Sequence, residues 1–232
     1  MLQIERCQTI AGLADKLNAN ELKLADVPVM EQALSQFNEL YKKGYFGESS
    51  MSNTFADTEK SMASGKYAMT LHNLGLPALI ETAYPDVKAD QFGYFPIPLV
   101  DNQLLNIAPA APTKFISANS KHIDAAKQYF NYLTKQENLQ FFLDNEQRFL
   151  ALDFDGVNGR MSEEQQKFFD AYGSKQGAGL QMIVKYVNPQ WMDIGKDMSA
   201  MMTGAMKPAD VLKSIDNRRT QQAKAAKDAD WE

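Results

Sequence analysis

Apolar residues recur at intervals of three and four along most of the 232-residue chain, which is the spacing of one face of an α-helix. The segment 27–44 has this pattern, with Asp26 as a suitable N-cap, Pro28 in the first turn and Gly44 after the last turn. The same criteria predict helices over 58–63, over 74–82, twice within 123–144 with a break near 134–136, over 162–172 behind a capping box, from Pro189 to Gly204, and from Pro208 onward.

Short segments with a different pattern predict β-structure. Residues 66–71 and 92–95 have the composition of buried strands, the first set off by Gly65 and the second ended by two prolines. Residues 107–117 should be extended, because several of them are prolines or precede prolines. Combined with the helices, these segments predict a helix-rich α/β fold.

Both ends of the chain are expected to be less ordered. Residues 1–20 predict a partly ordered tail, and the last helix turns polar after Asn217, so its end should fray into solvent. The first residues contain no apolar signal core and no small-residue cleavage site. The only cysteine, Cys7, excludes an internal disulfide, and a lipoprotein interpretation of Cys7 lacks a preceding hydrophobic segment.

Composition and charge narrow the class of protein. The hydrophobic content of 44% and the charged content of 23% are ordinary for a globular protein, and no apolar run approaches the length of a membrane span. A net charge of −5 argues against nucleic acid or an anionic membrane as the partner. The two histidines, His72 and His122, are not in metal-ligand spacing, and no nucleophile-elbow, phosphate-loop or dinucleotide motif is present. The sequence therefore predicts a binding protein without catalytic residues, metal or cofactor.

Four pieces of sequence follow one another in a characteristic order. They are MASGKYAM at 62–69, DQFGYFPIP at 90–98, an Ala/Pro-rich crossing at 107–113, and ISANSKHIDAAKQYFNYLTKQENLQFFL at 116–143. In this order they resemble family 1 extracellular solute-binding proteins, the sugar-capturing components of ABC importers. The resemblance runs from about Val27 to Trp231.

The resemblance implies a two-lobe, periplasmic-binding-protein-like fold. This chain would be its helix-rich C-terminal portion, without the N-terminal half. After the 1–20 tail, residues 21–106 and 146–232 would belong to one lobe and residues 107–145 to the other. A lobe without its other half would expose apolar surface and an unpaired sheet edge, so self-association of the chain is also expected.

The resemblance also implies a function. The protein would capture a sugar or oligosaccharide by hinge closure between its two lobes and deliver it to the membrane permease of an ABC importer. The full-length parent would be extracellular, either periplasmic or membrane-anchored. No enzymatic activity, cofactor or nucleic acid is implied.

Two candidate ligand-binding residues stand at the start of the helix that Pro189 opens. Sugars are bound by aromatic faces against C–H surfaces and by amides that bond hydroxyl groups. Trp191 matches a tryptophan that stacks on ligand in the resembled family, but it also continues the apolar seam of Ile194, Met198 and Met201 as a core residue would. Asn188 is equally suited to contact the ligand and to cap the helix.

His72 and Asn73 are the second candidate pair. In the resembled family the matching turn carries a tryptophan that faces the ligand, and this chain has Asn73, Leu74 and Gly75 there instead. His72 and Asn73 could donate hydrogen bonds to the ligand in its place, or His72 could be a structural residue at the end of a strand.

Other functions remain open on the sequence alone. The ligand could be a solute other than a sugar, such as a polyamine or a peptide. A cleft lined by carboxylates with displaced pKa values would indicate an enzyme, and a large exposed apolar patch would indicate an interaction module.

Overall fold

The computed structural model describes residues 12–107, 114–146, 149–152 and 154–231. These residues form two compact units. Unit 1 takes the described residues of 1–53, 96–110 and 172–232, and unit 2 takes those of 54–95 and 111–171. The lobe boundaries expected from the resemblance, 21–106, 107–145 and 146–232, remain a prediction.

Helices dominate the structure and a small sheet accompanies them, as the helix-rich α/β prediction requires. In chain order the described elements are α1 (Leu13–Asn18), α2 (Pro28–Lys42), α3 (Thr58–Ala63), α4 (Leu76–Ala83), β1 (Leu105–Ile107), α5 (Ile123–Leu133), α6 (Gln136–Asn145), α7 (Glu163–Tyr172), β2 (Gln176–Ala178), α8 (Leu180–Ile183), α9 (Trp191–Met202) and α10 (Pro208–Ala225). Each predicted helix is present within a few residues of its expected bounds.

The ends of the predicted helices follow local backbone rules, with one exception. Gly44 and Gly65 adopt φ values of +79° and +70° just after α2 and α3, a conformation that glycine adopts without strain. The expected N-cap of α2, Asp26, is wrong. Val27 occupies that position, and the Asp26 carboxylate accepts a hydrogen bond from the Lys23 backbone N–H, 3.2 Å away, in the preceding 3₁₀ turn.

The two predicted buried strands are not formed. Residues 66–71 and 92–95 have no regular secondary structure, and Met69 is 67% exposed. A strand needs a neighbouring strand for its backbone hydrogen bonds, and neither segment pairs with another strand among the described residues. The two described strands lie elsewhere in sequence: β1 and β2 pair in parallel, with Asn106 opposite Gly177. Of the predicted extended stretch 107–117, residues 108–113 lie outside the described part of the chain.

Unit 1 has a core to which α1, α2, α9 and α10 all contribute. The buried apolar residues of this core are Leu13, Leu17, Leu24, Val27, Met30, Ala33, Leu34, Val100, Val184, Val187, Met201, Val211, Leu212 and Ile215. Two of them, Leu13 and Leu17, come from α1. Residues 12–20 are therefore part of the folded unit. The prediction of a partly ordered tail covers residues 1–20, of which residues 1–11 lie outside the described part of the chain.

The last helix continues beyond the point at which it was expected to fray. Its residues after Asn217 are polar, but the positions that follow Ile215 at four-residue intervals, Arg219 and Ala223, are both fully buried. The α-helical period keeps these positions on the core-facing side. A polar composition alone therefore misjudged the end of this helix.

The charged side chain of Arg219 can be buried because each of its three nitrogen atoms has a hydrogen-bond partner. Nη2 donates to the Leu17 carbonyl at 2.7 Å, Nε donates to the Lys185 carbonyl at 3.1 Å, and Nη1 lies 3.2 Å from the Asp216 carboxylate. Burial lowers the pKa of Arg219 and Asp216 opposes that shift. The guanidinium also lies 4.8 Å from the centroid of the Trp231 ring, so it connects three distant parts of the chain.

Unit 2 is organised around a buried glutamine in α7. Gln165 closes the predicted capping box with Ser162, and its Nε2 donates to the Leu74 carbonyl at 2.9 Å and to the Tyr94 hydroxyl at 3.1 Å. Tyr94 packs on Phe168 with ring centroids 6.0 Å apart, and burial raises the pKa of its hydroxyl. These contacts hold the turn before α4 against α7.

Substitution of Arg219 tests whether the end of α10 is part of the core. Arg219→Ala should lower the free energy of unfolding by about 3–5 kcal/mol, because it leaves the Asp216 carboxylate buried without its cation. Lys213→Ala, at an exposed position of the same helix, should change it by less than about 0.5 kcal/mol. Urea unfolding followed by circular dichroism measures both values, and equal stability of the two variants would mean that the helix end is frayed.

Candidate functional site

Trp191 lies in the first turn of α9 with 63% of its surface exposed. The other members of its predicted seam behave differently: Met201 is fully buried, and Ile194 and Met198 pack against the core of unit 1. Side chains of an α-helix tilt toward its N-terminus, so a residue in the first turn projects past the packed part of the helix. Of its two possible roles, Trp191 thus has the open ring that stacking requires and lacks the burial of a core residue.

Asn188 is exposed in the 3₁₀ turn Asn188–Gln190 that precedes α9. Its side-chain oxygen accepts a hydrogen bond of 2.6 Å from the Gln181 carboxamide. The residue at the N-cap of α9 is Gln190, and no side chain caps that helix. The predicted capping role of Asn188 is therefore wrong, and a role in ligand contact remains open.

Segment 184–190, which we call the anchor segment, carries Asn188 and leads into Trp191. Asn18 binds its start through two bonds, from Nδ2 to the Ile183 carbonyl at 3.0 Å and from the Lys185 N–H to Oδ1 at 2.7 Å. At the other end Gln190 is almost completely buried. The backbone that presents the two candidate residues is thus fixed from both sides.

The C-terminal residues also hold the anchor segment. The Tyr186 hydroxyl donates to the Asp228 carboxylate at 2.7 Å, and the Lys185 ammonium lies 3.1 Å from Asp228 and 3.3 Å from Asp230. These bonds lower the pKa of Asp228 and raise those of Tyr186 and Lys185. Tyr186 has a φ of +64°, which is unusual for a non-glycine residue and requires such restraint.

His72 and Asn73 lie together in unit 2. The Asn73 side-chain oxygen accepts a 3.0 Å bond from the Gly75 N–H, which shapes the turn before α4. His72 is half-buried, and its Nδ1 atom is buried without a hydrogen-bond partner among the described residues. An unpaired buried nitrogen of this kind is uncommon in a structural histidine.

Phe55 is a candidate that the sequence reasoning missed. Its ring stacks on His72 with centroids 4.9 Å apart and an angle of 13° between the planes, and 78% of its surface is exposed. It supplies an aromatic face beside the turn from which the tryptophan of the resembled family is missing. Because 17 positions separate Phe55 from His72 and neither lies in a regular repeat, no sequence pattern points to this pair.

A shallow groove of about 540 Å³ was also not predicted and lies within unit 2. It runs beside α5 and is lined by Lys114, Phe115, Ile116, Ser117, Ser120, Ala126, Tyr129 and Phe130. Phe115 and Tyr129 are largely exposed. We call this surface the α5 groove.

Three carboxylates accept hydrogen bonds that favour their ionised form. Hydrogen bonds lower the pKa values of Asp57, Glu81 and Asp228, from Thr54, Ala89 and Tyr186 respectively, so these carboxylates are held ionised. Within the described ranges no group of three His, Cys, Asp or Glu side chains could hold a metal ion.

In the same part of the chain no helix combines the length and the apolar character of a membrane span.

Comparison with known proteins identifies the family. The family model for bacterial extracellular solute-binding proteins matches residues 10–140, more than half of the chain. The chain therefore belongs to the bacterial extracellular solute-binding protein family, as the order of its four sequence pieces predicted. A search of curated proteins finds no match to this chain.

Family membership sets the general class of function. These are extracellular proteins that bind a solute and are in general not enzymes. The matched range contains His72 and Asn73 and ends before Asn188 and Trp191. The geometry of the anchor segment and of α9, and not the family match, therefore supports Asn188 and Trp191 as candidate ligand-binding residues.

Two substitutions in α9 test whether Trp191 is free of the core. Trp191→Ala should change the free energy of unfolding by no more than about 0.5 kcal/mol, because its side chain is mostly in solvent. Met201→Ala should lower it by about 2–5 kcal/mol, because that side chain is fully buried. Urea unfolding compares the two variants. A loss of several kcal/mol in the free energy of unfolding of Trp191→Ala would show that Trp191 is a core residue.

Proposed function

We propose that this protein binds a carbohydrate, with Trp191 as the stacking platform, and serves as the solute-binding component of an ABC importer. The observation that carries the proposal is the exposure of Trp191 at the head of a helix whose seam residues Ile194, Met198 and Met201 are packed. An indole that is exposed to solvent does not contribute to the packing of the protein core. Such a ring on a rigid backbone is well suited to bind a ligand that has an apolar face.

The chemistry around Trp191 fits a sugar. The C–H face of a pyranose ring can lie on the indole, while its hydroxyl groups need amide partners whose orientation is fixed. Asn188 and Gln181 place two exposed or half-exposed carboxamides close to the start of the same helix. Unit 2 has a separate aromatic surface of its own, formed by Phe55 and His72, and the buried Nδ1 of His72 has no hydrogen-bond partner among the described residues.

Delivery to a permease follows from the family and is part of the proposal. Family membership supports a small-molecule ligand and, in general, an ABC permease as the partner. Closure of two lobes around the solute, which the resemblance implies, remains a prediction.

Calorimetric titration of the protein with a panel of mono- and oligosaccharides tests the function. At least one sugar should bind, and Trp191→Ala should weaken it at least about fivefold, because stacking contributes on the order of 1 kcal/mol beyond the area buried. Met192→Ala is the control, since Met192 is the next residue and is equally exposed.

Two results would contradict the proposal. One is an affinity for sugar that Trp191→Ala and Met192→Ala leave equally unchanged. The other is binding of a polyamine or a short peptide, included in the same panel, in the absence of any sugar.

The α5 groove supports self-association as a second candidate property. Phe115 and Tyr129 expose large apolar surfaces at this groove, and soluble monomers rarely leave such patches uncovered without a binding role. A second copy presents the same surface, so a two-fold pairing of grooves would place apolar side chains against each other.

Sedimentation velocity over a range of concentrations up to millimolar tests this association. The wild-type protein should show a mass that rises with concentration, and Tyr129→Lys should weaken dimerisation at least about fivefold by placing charge in the groove. Tyr45→Lys is the matched control, because Tyr45 is similarly exposed but lies in unit 1. A clean monomer at millimolar wild-type protein would end this proposal.

A further inference from the structure

We propose that Gln190 is the positioning residue of the binding site, because it fixes the backbone between Asn188 and Trp191 through three hydrogen bonds of its buried side chain. The inference deepens the proposed function and rests on it for the meaning of the site. Gln190 itself is only 1% exposed and need not touch the ligand.

The side-chain nitrogen of Gln190 ties two backbone segments together. Its Nε2 donates to the Tyr186 carbonyl at 2.6 Å, four residues earlier in the anchor segment, and to the Ile215 carbonyl at 3.3 Å in α10. The first bond closes the loop that carries Asn188. The second attaches that loop to a helix of the unit 1 core.

The side-chain oxygen of Gln190 binds the loop to α9. It accepts a 2.7 Å bond from Nε of Arg218, whose Nη2 is 2.6 Å from the Asp197 carboxylate. Asp197 lies in α9, six residues after Trp191. Gln190 and Arg218 thus connect the start of α9, the middle of α9 and the body of α10 in one chain of polar contacts.

The hydrogen bonds of Gln190 do not serve to cap the helix. Gln190 does not cap α9 with its side chain, and its carboxamide instead has a donor or acceptor partner on both of its polar atoms. A buried carboxamide specifies one arrangement of the groups around it, because any other leaves polar atoms unpaired. The arrangement that it specifies holds Asn188 and Trp191 at fixed positions on either side of it.

The test separates positioning from stability. Gln190→Met keeps the size of the side chain and removes all three bonds, and Gln190→Glu keeps the acceptor for Arg218 but removes both donated bonds. Asn102→Leu is the matched control, because Asn102 is a buried carboxamide of unit 1 that also makes three bonds, with Ile97 and Leu104, away from the anchor segment.

Three quantities are measured for each variant: the melting temperature, the dissociation constant for the sugar bound by the wild type, and the ¹⁹F resonance of Trp191. The chain has two tryptophans, so 5-fluorotryptophan labelling gives two resonances, and Trp191→Phe assigns them. Gln190→Met should shift or broaden the Trp191 resonance and weaken sugar binding about three- to tenfold, because the ligand feels only part of the loss of the three bonds that hold the backbone beside Trp191. Gln190→Glu should fall between Gln190→Met and the wild type.

The control fixes the interpretation. Asn102→Leu should lower the melting temperature by a similar amount and leave both the Trp191 resonance and the sugar affinity unchanged. The inference is overturned if Gln190→Met and Gln190→Glu leave the Trp191 resonance unchanged, or if Asn102→Leu moves it as much. If Gln190→Met does not fold, Gln190→Glu alone decides. Since the ¹⁹F resonance is read without ligand, absence of sugar binding by the wild type would overturn the proposed function while the resonance still decides the role of Gln190.

Discussion

The packing of unit 1 depends on the buried guanidinium of Arg219 and on the groups that bind it. A buried cation is tolerated only when an anion and enough acceptors surround it. Here the anion is Asp216, which also accepts the N–H groups of Leu24 and Ala25 at 3.1 and 2.9 Å. One ion pair thus draws α1, the turn before α2, the anchor segment and the C-terminal Trp231 onto α10. These elements come from both ends of the described chain.

This arrangement explains how an exposed tryptophan can be held in place. The Lys185 carbonyl is one of the acceptors of Arg219, so the anchor segment is attached to a fully buried group of the unit. Gln190 attaches its other end to α10. Trp191 follows directly and can face solvent without losing its position, since its backbone is held by neighbours rather than by its own packing. An open ring on a backbone that is held in place is the property that a stacking platform needs.

Much of the fold could be predicted from the sequence, because its helices are specified by local signals. The Gly44 and Gly65 ends and the Ser162–Gln165 capping box depend on residues within one turn of each other. The errors concern features decided by distant partners. Residues 66–71 have strand composition but pair with no strand among the described residues, and Arg219 is polar but has partners up to 202 positions away. The sequence likewise placed Trp191 at the head of its helix but left its exposure undecided, and nothing in it could pair Phe55 with His72.

The chain belongs to the bacterial extracellular solute-binding protein family, and the proposed function adds that its ligand is a sugar that stacks on the exposed indole of Trp191. The most direct measurement is of nuclear Overhauser effects between a bound sugar and the protein. Stacking of the sugar on Trp191 predicts cross-peaks from the ring C–H protons of the sugar to the indole protons of Trp191. Cross-peaks confined to other aromatic residues, with the sugar saturating its site, would contradict it.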